Sequence, residues 1–251
     1  MIIRALVRGR SVKYQMKTIL AGGVLALSLI THAAAGPRED AASAKARGDY
    51  AAAQKDLRPL AESGDARAQY DLGALYSDPS PAQNVPQAAV WYHKAADQGY
   101  APAQAILGGM YAIGGGVSPD ATQAAFWFRK AADQNDAEGQ TGLATCYARG
   151  LGVPQNDTQA FFWFRKAAEQ RSMAAQINVG FMYQGGRGVA EDKVQALMWF
   201  ELAAGRLLPD SVQAAALASK ARDTLVAQLS PSQIDEAKQR ATSWIAEHPQ
   251  R

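Results

Sequence analysis

A tryptophan recurs every 36 residues through the middle of this chain, and that period restricts the fold more than any other feature. The four tryptophans are Trp91, Trp127, Trp163 and Trp199. A Gln-Ala pair precedes each of them at the same distance: Gln87-Ala88, Gln123-Ala124, Gln159-Ala160 and Gln195-Ala196. Units of about 20 to 50 residues that repeat at a fixed period are typical of solenoids, in which each unit packs only against its neighbours.

The first half of each unit has the pattern of an amphipathic helix. Its apolar or small residues recur at steps of three and four, which places them on one helix face. The four sets are Ala68, Leu72, Leu75 and Tyr76; Ala103, Leu107, Met110 and Tyr111; Gly139, Leu143, Cys146 and Tyr147; and Ala175, Val179, Met182 and Tyr183. A small residue beside each set allows a neighbouring helix to approach closely. These residues are Gly73, Gly108, Ala144 and Gly180.

The second half of each unit begins with a residue that can cap a helix. The four residues are Asn84, Asp120, Asn156 and Asp192. An Asn or Asp oxygen accepts hydrogen bonds from the free N–H groups of a first helical turn. Three units place a glycine-rich turn before this cap: Gly114 to Val117, Gly150 to Val153 and Gly186 to Val189. Their first glycine falls where a left-handed residue commonly ends a helix, so each unit is predicted to be two antiparallel helices in an all-α fold.

The repeat pattern also divides the chain. The four units span residues 65–99, 100–135, 136–171 and 172–207. Residues 36–64 have the features of a degenerate leading unit that caps the stack, with its second helix from Tyr50 to Ser63. Residues 208–251 contain two capping helices, from Pro209 to Leu229 and from Pro231 to Glu247, and Ser230 with Gln233 predicts a capping box for the second.

Residues 1–35 have the composition of an export signal. Five Lys and Arg residues precede an apolar run from Ile19 to Ile30, and three alanines that end at Ala35 supply the small residues of a cleavage site. We expect cleavage after Ala35 and a periplasmic or secreted product, with either Met1 or Met16 as the true start. A membrane anchor is the alternative, but this run is shorter than the roughly 20 residues that span a bilayer.

The leader also accounts for the basic character of the chain. The net charge of +3 includes five Lys and Arg from this segment and no Asp or Glu, so the chain from Gly36 onward carries −2. Proteins that bind nucleic acid carry a basic patch or stripe. The overall charge therefore gives no indication of a nucleic-acid partner.

The repeated residues resemble the Sel1-like repeat (SLR) family. Its pattern is Ala-Gln, Leu-Gly, Tyr, a Gly-x-Gly-Val turn, and then Ala, Trp, an aromatic residue and Lys-Ala-Ala. The second unit contains this pattern as Ala103-Gln104, Leu107-Gly108, Tyr111, Gly114 to Val117, Ala124, Trp127-Phe128 and Lys130 to Ala132. The resemblance covers about residues 65 to 207. It implies a right-handed α-solenoid of the tetratricopeptide type and a role as an adaptor or regulator in signalling, envelope or secretion complexes.

The same resemblance implies a partner-binding groove along the first helix of each unit, at residues outside the core face. These residues are Arg67, Tyr70 and Ala74; Pro102, Ala105 and Gly109; Glu138, Thr141 and Thr145; and Ala174, Ile177 and Phe181. Tyr70, Ile177 and Phe181 are the apolar anchors in this interpretation. In the alternative interpretation, these side chains only pack against neighbouring helices, because a stripe on a helix is more often core than site.

Catalysis has little support in the sequence. Some relatives are associated with penicillin binding or hydrolysis, but no Ser here has Lys three residues later, and none lies between glycines in a nucleophile elbow. The glycine-rich turns neither follow a strand nor carry the lysine of a phosphate-binding loop. We therefore expect no enzymatic activity and no cofactor.

No metal site is expected either. After the leader the histidines are His93 and His248, which are too far apart for a His-x-x-x-His pair. His93 takes the surface position that arginines occupy in other units. Cys146 aligns with Met110 and Met182, so we expect a buried apolar residue rather than a nucleophile. As the only cysteine, it cannot form an intramolecular disulfide.

The sequence thus predicts an exported helical repeat scaffold that mediates protein–protein interactions in the bacterial envelope. The expected partner is a protein, with no nucleic acid and no membrane span after signal cleavage. Three alternatives remain open: an envelope hydrolase of the β-lactamase type, a protein that binds glycan or peptidoglycan, and a structural stacking module without a partner.

Overall fold

The computed structural model describes residues 36–205 and 212–249, and in these ranges the chain forms twelve helices and no strand. The helices are α1 (Pro37–Ala46), α2 (Tyr50–Glu62), α3 (Ala66–Ser77), α4 (Val85–Asp97), α5 (Ala101–Ile113), α6 (Ala121–Asp133), α7 (Ala137–Arg149), α8 (Asp157–Glu169), α9 (Met173–Gly185), α10 (Lys193–Ala204), α11 (Val212–Val226) and α12 (Pro231–Glu247). The predicted export signal lies outside the described residues.

Helices α1 to α10 each pack against the next one along the chain, and α12 packs mainly against α10. The first helices of the four units are α3, α5, α7 and α9, and the second helices are α4, α6, α8 and α10. Helix α5 also packs against α7, whereas consecutive second helices make few contacts with one another. Each helix therefore packs mainly against its neighbours along the chain, and the prediction of an all-α solenoid of helix pairs is confirmed.

Side-chain caps explain where the helices begin. Each of the four predicted caps of the second helices accepts a hydrogen bond from a backbone N–H of the first turn, at 2.8 to 3.1 Å. Three first helices have caps that the repeat pattern did not indicate. Asp65, Asp136 and Ser172 accept bonds from the N–H groups of Ala68, Gly139 and Ala175. Each cap replaces water at a free donor, a contribution of about 1 kcal/mol.

Glycine is required twice in each glycine-rich turn. Gly150 ends α7 in the left-handed region, with φ of 68°, as the sequence predicts. Gly152 also has a positive φ, of 69°, and a Cβ there would overlap the carbonyl oxygen of Ala121 at the start of α6. The same arrangement recurs at Gly116 and Gly188. The second glycine of the turn is therefore where one unit touches the backbone of the unit before it.

An aromatic ring of each second helix lies against a small residue of the first helix. A Cβ at Gly108 would lie 2.7 Å from the ring of Phe128, and one at Gly180 would lie 2.6 Å from the ring of Phe200. Glycine therefore lets the ring fill the space between the two helices, and the expected close approach is confirmed.

Buried glutamines connect neighbouring helices at three junctions of the stack, whereas Gln176 in α9 bonds only to the carbonyl oxygen of Ala168, at 3.4 Å. The Nε2 group of Gln104 in α5 donates to the carbonyl oxygen of Ala96 in α4 at 3.0 Å, and its Oε1 accepts from Gln134 after α6 at 2.7 Å. The equivalent pairs are Gln69 with Gln98 and Gln140 with Gln170, each at 2.8 Å. Since a buried amide without partners is costly, these bonds fix the register of the stack.

The two ends depart from the repeat. Helices α1 and α2 form a leading pair, and α2 begins at Tyr50 as predicted. Helix α11 lies within the predicted range 209–229, of which residues 209–211 are outside the described part. Helix α12 has the predicted bounds, and Ser230 and Gln233 form the capping box.

The two glycines of one turn should differ in their tolerance of alanine. Gly150→Ala adds only the strain of a left-handed Ala, about 1 kcal/mol, because its Cβ would be 3.4 Å from the nearest atom. Gly152→Ala adds overlap with the Ala121 carbonyl, and we expect a loss of about 3 kcal/mol or more. Urea denaturation of both variants measures the difference. Equal losses would contradict the contact between units.

Candidate functional site

We call the surface of α3, α5, α7 and α9 that faces away from the second helices the inner face. The predicted binding residues lie on these four helices with unequal exposure. Arg67 and Glu138 are exposed, and neither side chain forms a hydrogen bond or ion pair with another described residue. Ala174 is also exposed. The half-buried members are Tyr70, Ala74, Pro102, Gly109, Thr141 and Thr145. The free charges at Arg67 and Glu138 are therefore available to a partner.

Tyr70, which lies on the same helix as Arg67, belongs to a small aromatic cluster. Its ring centroid lies 5.6 Å from that of Tyr92 and 5.3 Å from that of Tyr100. Burial raises the pKa of Tyr70, and the nearby Glu138 carboxylate raises it further. The hydroxyl therefore stays neutral at physiological pH, so Tyr70 can supply an apolar ring edge and a hydrogen-bond donor.

The two predicted threonines use their hydroxyl groups within the fold. Thr141 donates to the carbonyl oxygen of Ala137 at 2.7 Å and lies 3.2 Å from Oγ of Ser172. Thr145 donates to the carbonyl oxygen of Thr141 at 2.9 Å. Their methyl groups, rather than their hydroxyls, are what they can offer to a partner.

Ile177 is not available as an anchor, so this part of the prediction is wrong. It is 5% exposed and packs in a core cluster with Met173, Leu197 and Ala218. The physical reason is that α11, which follows the repeats, packs against α9 and α10 and covers this end of the inner face. Ala105 is buried too, at 4% exposure.

Phe181 lies in a cleft that the sequence did not indicate. Its ring is 40% exposed and meets Phe200 edge to face, with centroids 5.0 Å apart. Together with Leu217, Lys220 and Thr224 of α11 it lines a cleft of about 210 Å³. In the sequence, Leu217 within the Ala-rich α11 is the feature that could have indicated this cleft, and in the structure its side chain is exposed.

A second cleft, of about 350 Å³, lies at the opposite end of the inner face, between α1 and α3. Arg38, Lys45 and Arg67 line it together with Glu39 and Asp71. Arg38 and Lys45 also form ion pairs with Asp65 and Asp78. Burial raises the pKa of the Asp71 carboxyl despite these cations. Of these cations, only Arg67 was among the predicted binding residues. Arg38 and Lys45 reach this face because α1 docks beside α3.

The histidines and the cysteine that were considered as catalytic or metal-binding residues lie apart from one another in the structure. His93 pairs with Asp97 at 2.9 Å, and its ring edge meets Trp127. His248 stacks on Trp244, and Cys146 is buried in α7 as expected. In the described ranges, no three His, Cys, Asp or Glu residues come together in a group that could hold a metal ion.

No helix in the described part of the chain is both long and apolar enough to cross a membrane.

Four consecutive segments match the model of one protein family, the Sel1 repeat. They are residues 66–100, 101–136, 137–172 and 174–206, which together make up more than half of the chain. None of the curated proteins matches the sequence.

The solved structures that are similar to the chain include the following two. One is a protective antigen of uropathogenic Escherichia coli strains that displays an SLR fold, with 34% identity and a TM-score of 0.71. The match covers 78% of this chain and 41% of that one, so the chain spans less than half of that relative. The other is a Sel1 repeat protein from Oxalobacter formigenes, 23% identical with a TM-score of 0.67 over 86% of both chains. At that identity the likeness concerns the fold.

Cys146 should be unreactive in the folded protein. Burial raises the pKa of its thiol, and a higher thiol pKa means less thiolate at any given pH. We expect DTNB at pH 8 to modify it at least about a hundredfold more slowly than an exposed cysteine. Ser118→Cys in a Cys146→Ala background is the matched control, since Ser118 is exposed. Equal rates would show that Cys146 is accessible.

Proposed function

The chain belongs to the Sel1 repeat family, and from this premise we propose that it is an exported scaffold that binds another protein along its inner face. Sel1 repeat proteins are generally protein-interaction scaffolds. The observation that carries the proposal is the set of exposed side chains on this face without a role in the core. Arg67 and Glu138 have free charges, and Phe181 exposes an aromatic ring.

The shape of the inner face favours an extended partner over a small molecule. A cleft lined by charged side chains of both signs lies at one end and a cleft lined by Phe181 and Leu217 at the other, with Glu138 between them. Small-molecule sites are usually single concave cavities that enclose most of the ligand. Two clefts of different chemistry suit a protein segment that has a charged part and an apolar part.

The alternative of an envelope hydrolase needs a nucleophile that is hydrogen-bonded to a base. Among the described residues, no Ser, Thr or Cys side chain is hydrogen-bonded to a histidine, a lysine or a carboxylate. The geometry therefore favours the scaffold. No specific contact favours glycan binding over protein binding.

Export is the second part of the proposal. It rests on the charged, apolar and small-residue segments of residues 1–35, in the order that signal peptidase substrates show. A scaffold exported in this way would meet its partner in the periplasm or outside the cell.

A photocrosslinking residue in place of Glu138 should capture the partner in cells, and the same residue in place of the exposed Ser232 on α12 should not. Phe181→Ser should reduce the crosslinked product by at least about fivefold, because truncating an aromatic anchor costs more than about 1 kcal/mol. Leu151→Ser is the matched control, as it removes an equally exposed apolar side chain from a turn. Equal capture from both positions would contradict an inner-face site.

Cell fractionation followed by N-terminal sequencing tests export. We expect the protein outside the cytoplasm with Gly36 as its first residue, and we expect a variant without residues 1–35 to stay in the cytoplasm. An intact leader on cytoplasmic protein would overturn this part of the proposal and leave the scaffold function to be judged by crosslinking.

A further inference from the structure

One position on the outer surface changes its environment along the stack. Phe126 and Phe162 lie 36 residues apart on α6 and α8, and they are 46% and 45% exposed. Met198 occupies the same position on α10 and is only 6% exposed. Since the repeat presents this position in the same way each time, something covers it in the fourth unit alone.

The cover is the C-terminal helix of the chain, α12. It packs along α10, with Ala241 and Trp244 in the cluster that contains Met198 and Leu202. The Trp244 ring meets Trp199 of α10 edge to face, with centroids 5.8 Å apart. A helix with small residues and one tryptophan on its apolar face therefore fits this surface.

The surface recurs as three outer grooves between consecutive second helices. Groove 1 lies between α4 and α6, where His93 meets Trp127 beside Phe126, with ring centroids 5.5 Å apart. Groove 2 lies between α6 and α8, where Arg129 lies 5.4 Å from the Trp163 ring centroid, beside Phe162. Groove 3 lies between α8 and α10, where α12 docks. Its equivalent residues, Arg165, Met198 and Trp199, line a cavity together with Trp244. Grooves 1 and 2 thus repeat the surface that binds a helix in groove 3.

The three grooves differ in charge at one position. Lys130 lies over the Phe126 ring at 4.8 Å and Lys166 over the Phe162 ring at 4.9 Å. Neither ammonium group has a carboxylate within ion-pair distance among the described residues. The same position in groove 3 is Leu202, which is 5% exposed. The position is therefore apolar in groove 3, which α12 covers, and carries a lysine without an ion pair in grooves 1 and 2, which are open.

We propose that outer grooves 1 and 2 bind an amphipathic helix of a partner protein, whose aromatic residue packs on Phe126 or Phe162 and whose carboxylates face Lys130 or Lys166. The aromatic requirement follows from Trp244 in groove 3, and the acidic requirement follows from the lysines. The lysines also argue against α12 of a second copy as the occupant, because that helix docks against the apolar Leu202. This site is separate from the inner face, since it lies on the second helices.

The test uses a fluorescein-labelled peptide of residues 230–249 with Lys238→Glu and Arg240→Glu, which keeps the apolar face of α12 and adds carboxylates. Its fluorescence anisotropy should show saturable binding to the purified protein. Trp244→Ala in the peptide should weaken binding by at least about tenfold. The same loss is expected for protein that carries Phe126→Ser with Phe162→Ser, or Lys130→Glu with Lys166→Glu. Binding should also weaken as salt is added.

Ile113→Ser is the matched control, because it removes an exposed apolar side chain from a first helix, outside the outer grooves. Its binding should equal that of the unchanged protein. Circular dichroism melting checks that each variant is folded. We expect the phenylalanine variants to fold, because both side chains are about half exposed. Because Phe181→Ser should leave peptide binding intact, failure here is distinguishable from failure of the inner-face proposal.

Three results would overturn the proposal. Absence of saturable binding would show that the open grooves do not accept such a helix. Binding that is equal for the unchanged protein and the double phenylalanine variant would place the peptide in groove 3, in exchange for α12. Self-association that is lost in the double phenylalanine variant, measured by light scattering, would make a second copy the occupant.

Discussion

The buried glutamine amides of α3, α5 and α7 are the interactions on which the register of the stack depends. Gln104 can satisfy both of its polar atoms only when α4 and α6 are in place on either side of α5. An amide buried without these partners would cost about 1 to 3 kcal/mol. A shift of one unit against the next would break the bond at that junction, so one register is selected. The glycine contacts, the ring contacts and the outer grooves recur at the same spacing because this register does.

The features that the sequence predicted are those whose cause lies within a few residues or within the repeat itself. The cap at Asp120 and the left-handed glycine at Gly150 depend on a single helix end, and the burial of Cys146 follows from its alignment with two methionines. Ile177 could not be predicted in this way. Ile177 occupies the same position of its repeat as the half-exposed Thr141. It is nevertheless buried, because α11, which follows the repeats, packs on it. The repeat pattern contains no information about how the ends dock.

Prediction of the candidate site from the sequence was limited in the same way, because the repeat pattern does not show how the end helices dock. The exposed positions on the first helices were predictable from the core face, and Arg67 and Glu138 are exposed in the structure. The cations that α1 adds and the apolar cleft that α11 adds were not, since each depends on a contact between residues outside the period. A repeat sequence thus gives the surface of an average unit, whereas recognition depends on where real units differ from it.

Those differences are greatest at the C-terminal end, where the solenoid must cover its last unit. Helix α11 covers the inner face at Ile177, and α12 covers the outer side at Met198. Their docking leaves both kinds of free surface over the preceding units, with charged and aromatic side chains on the first helices and lysine-flanked phenylalanines on the second. Because the first and second helices of a unit face opposite ways, a protein held on one side does not block the other. The two proposed sites would therefore allow two partners to bind the same stack at once.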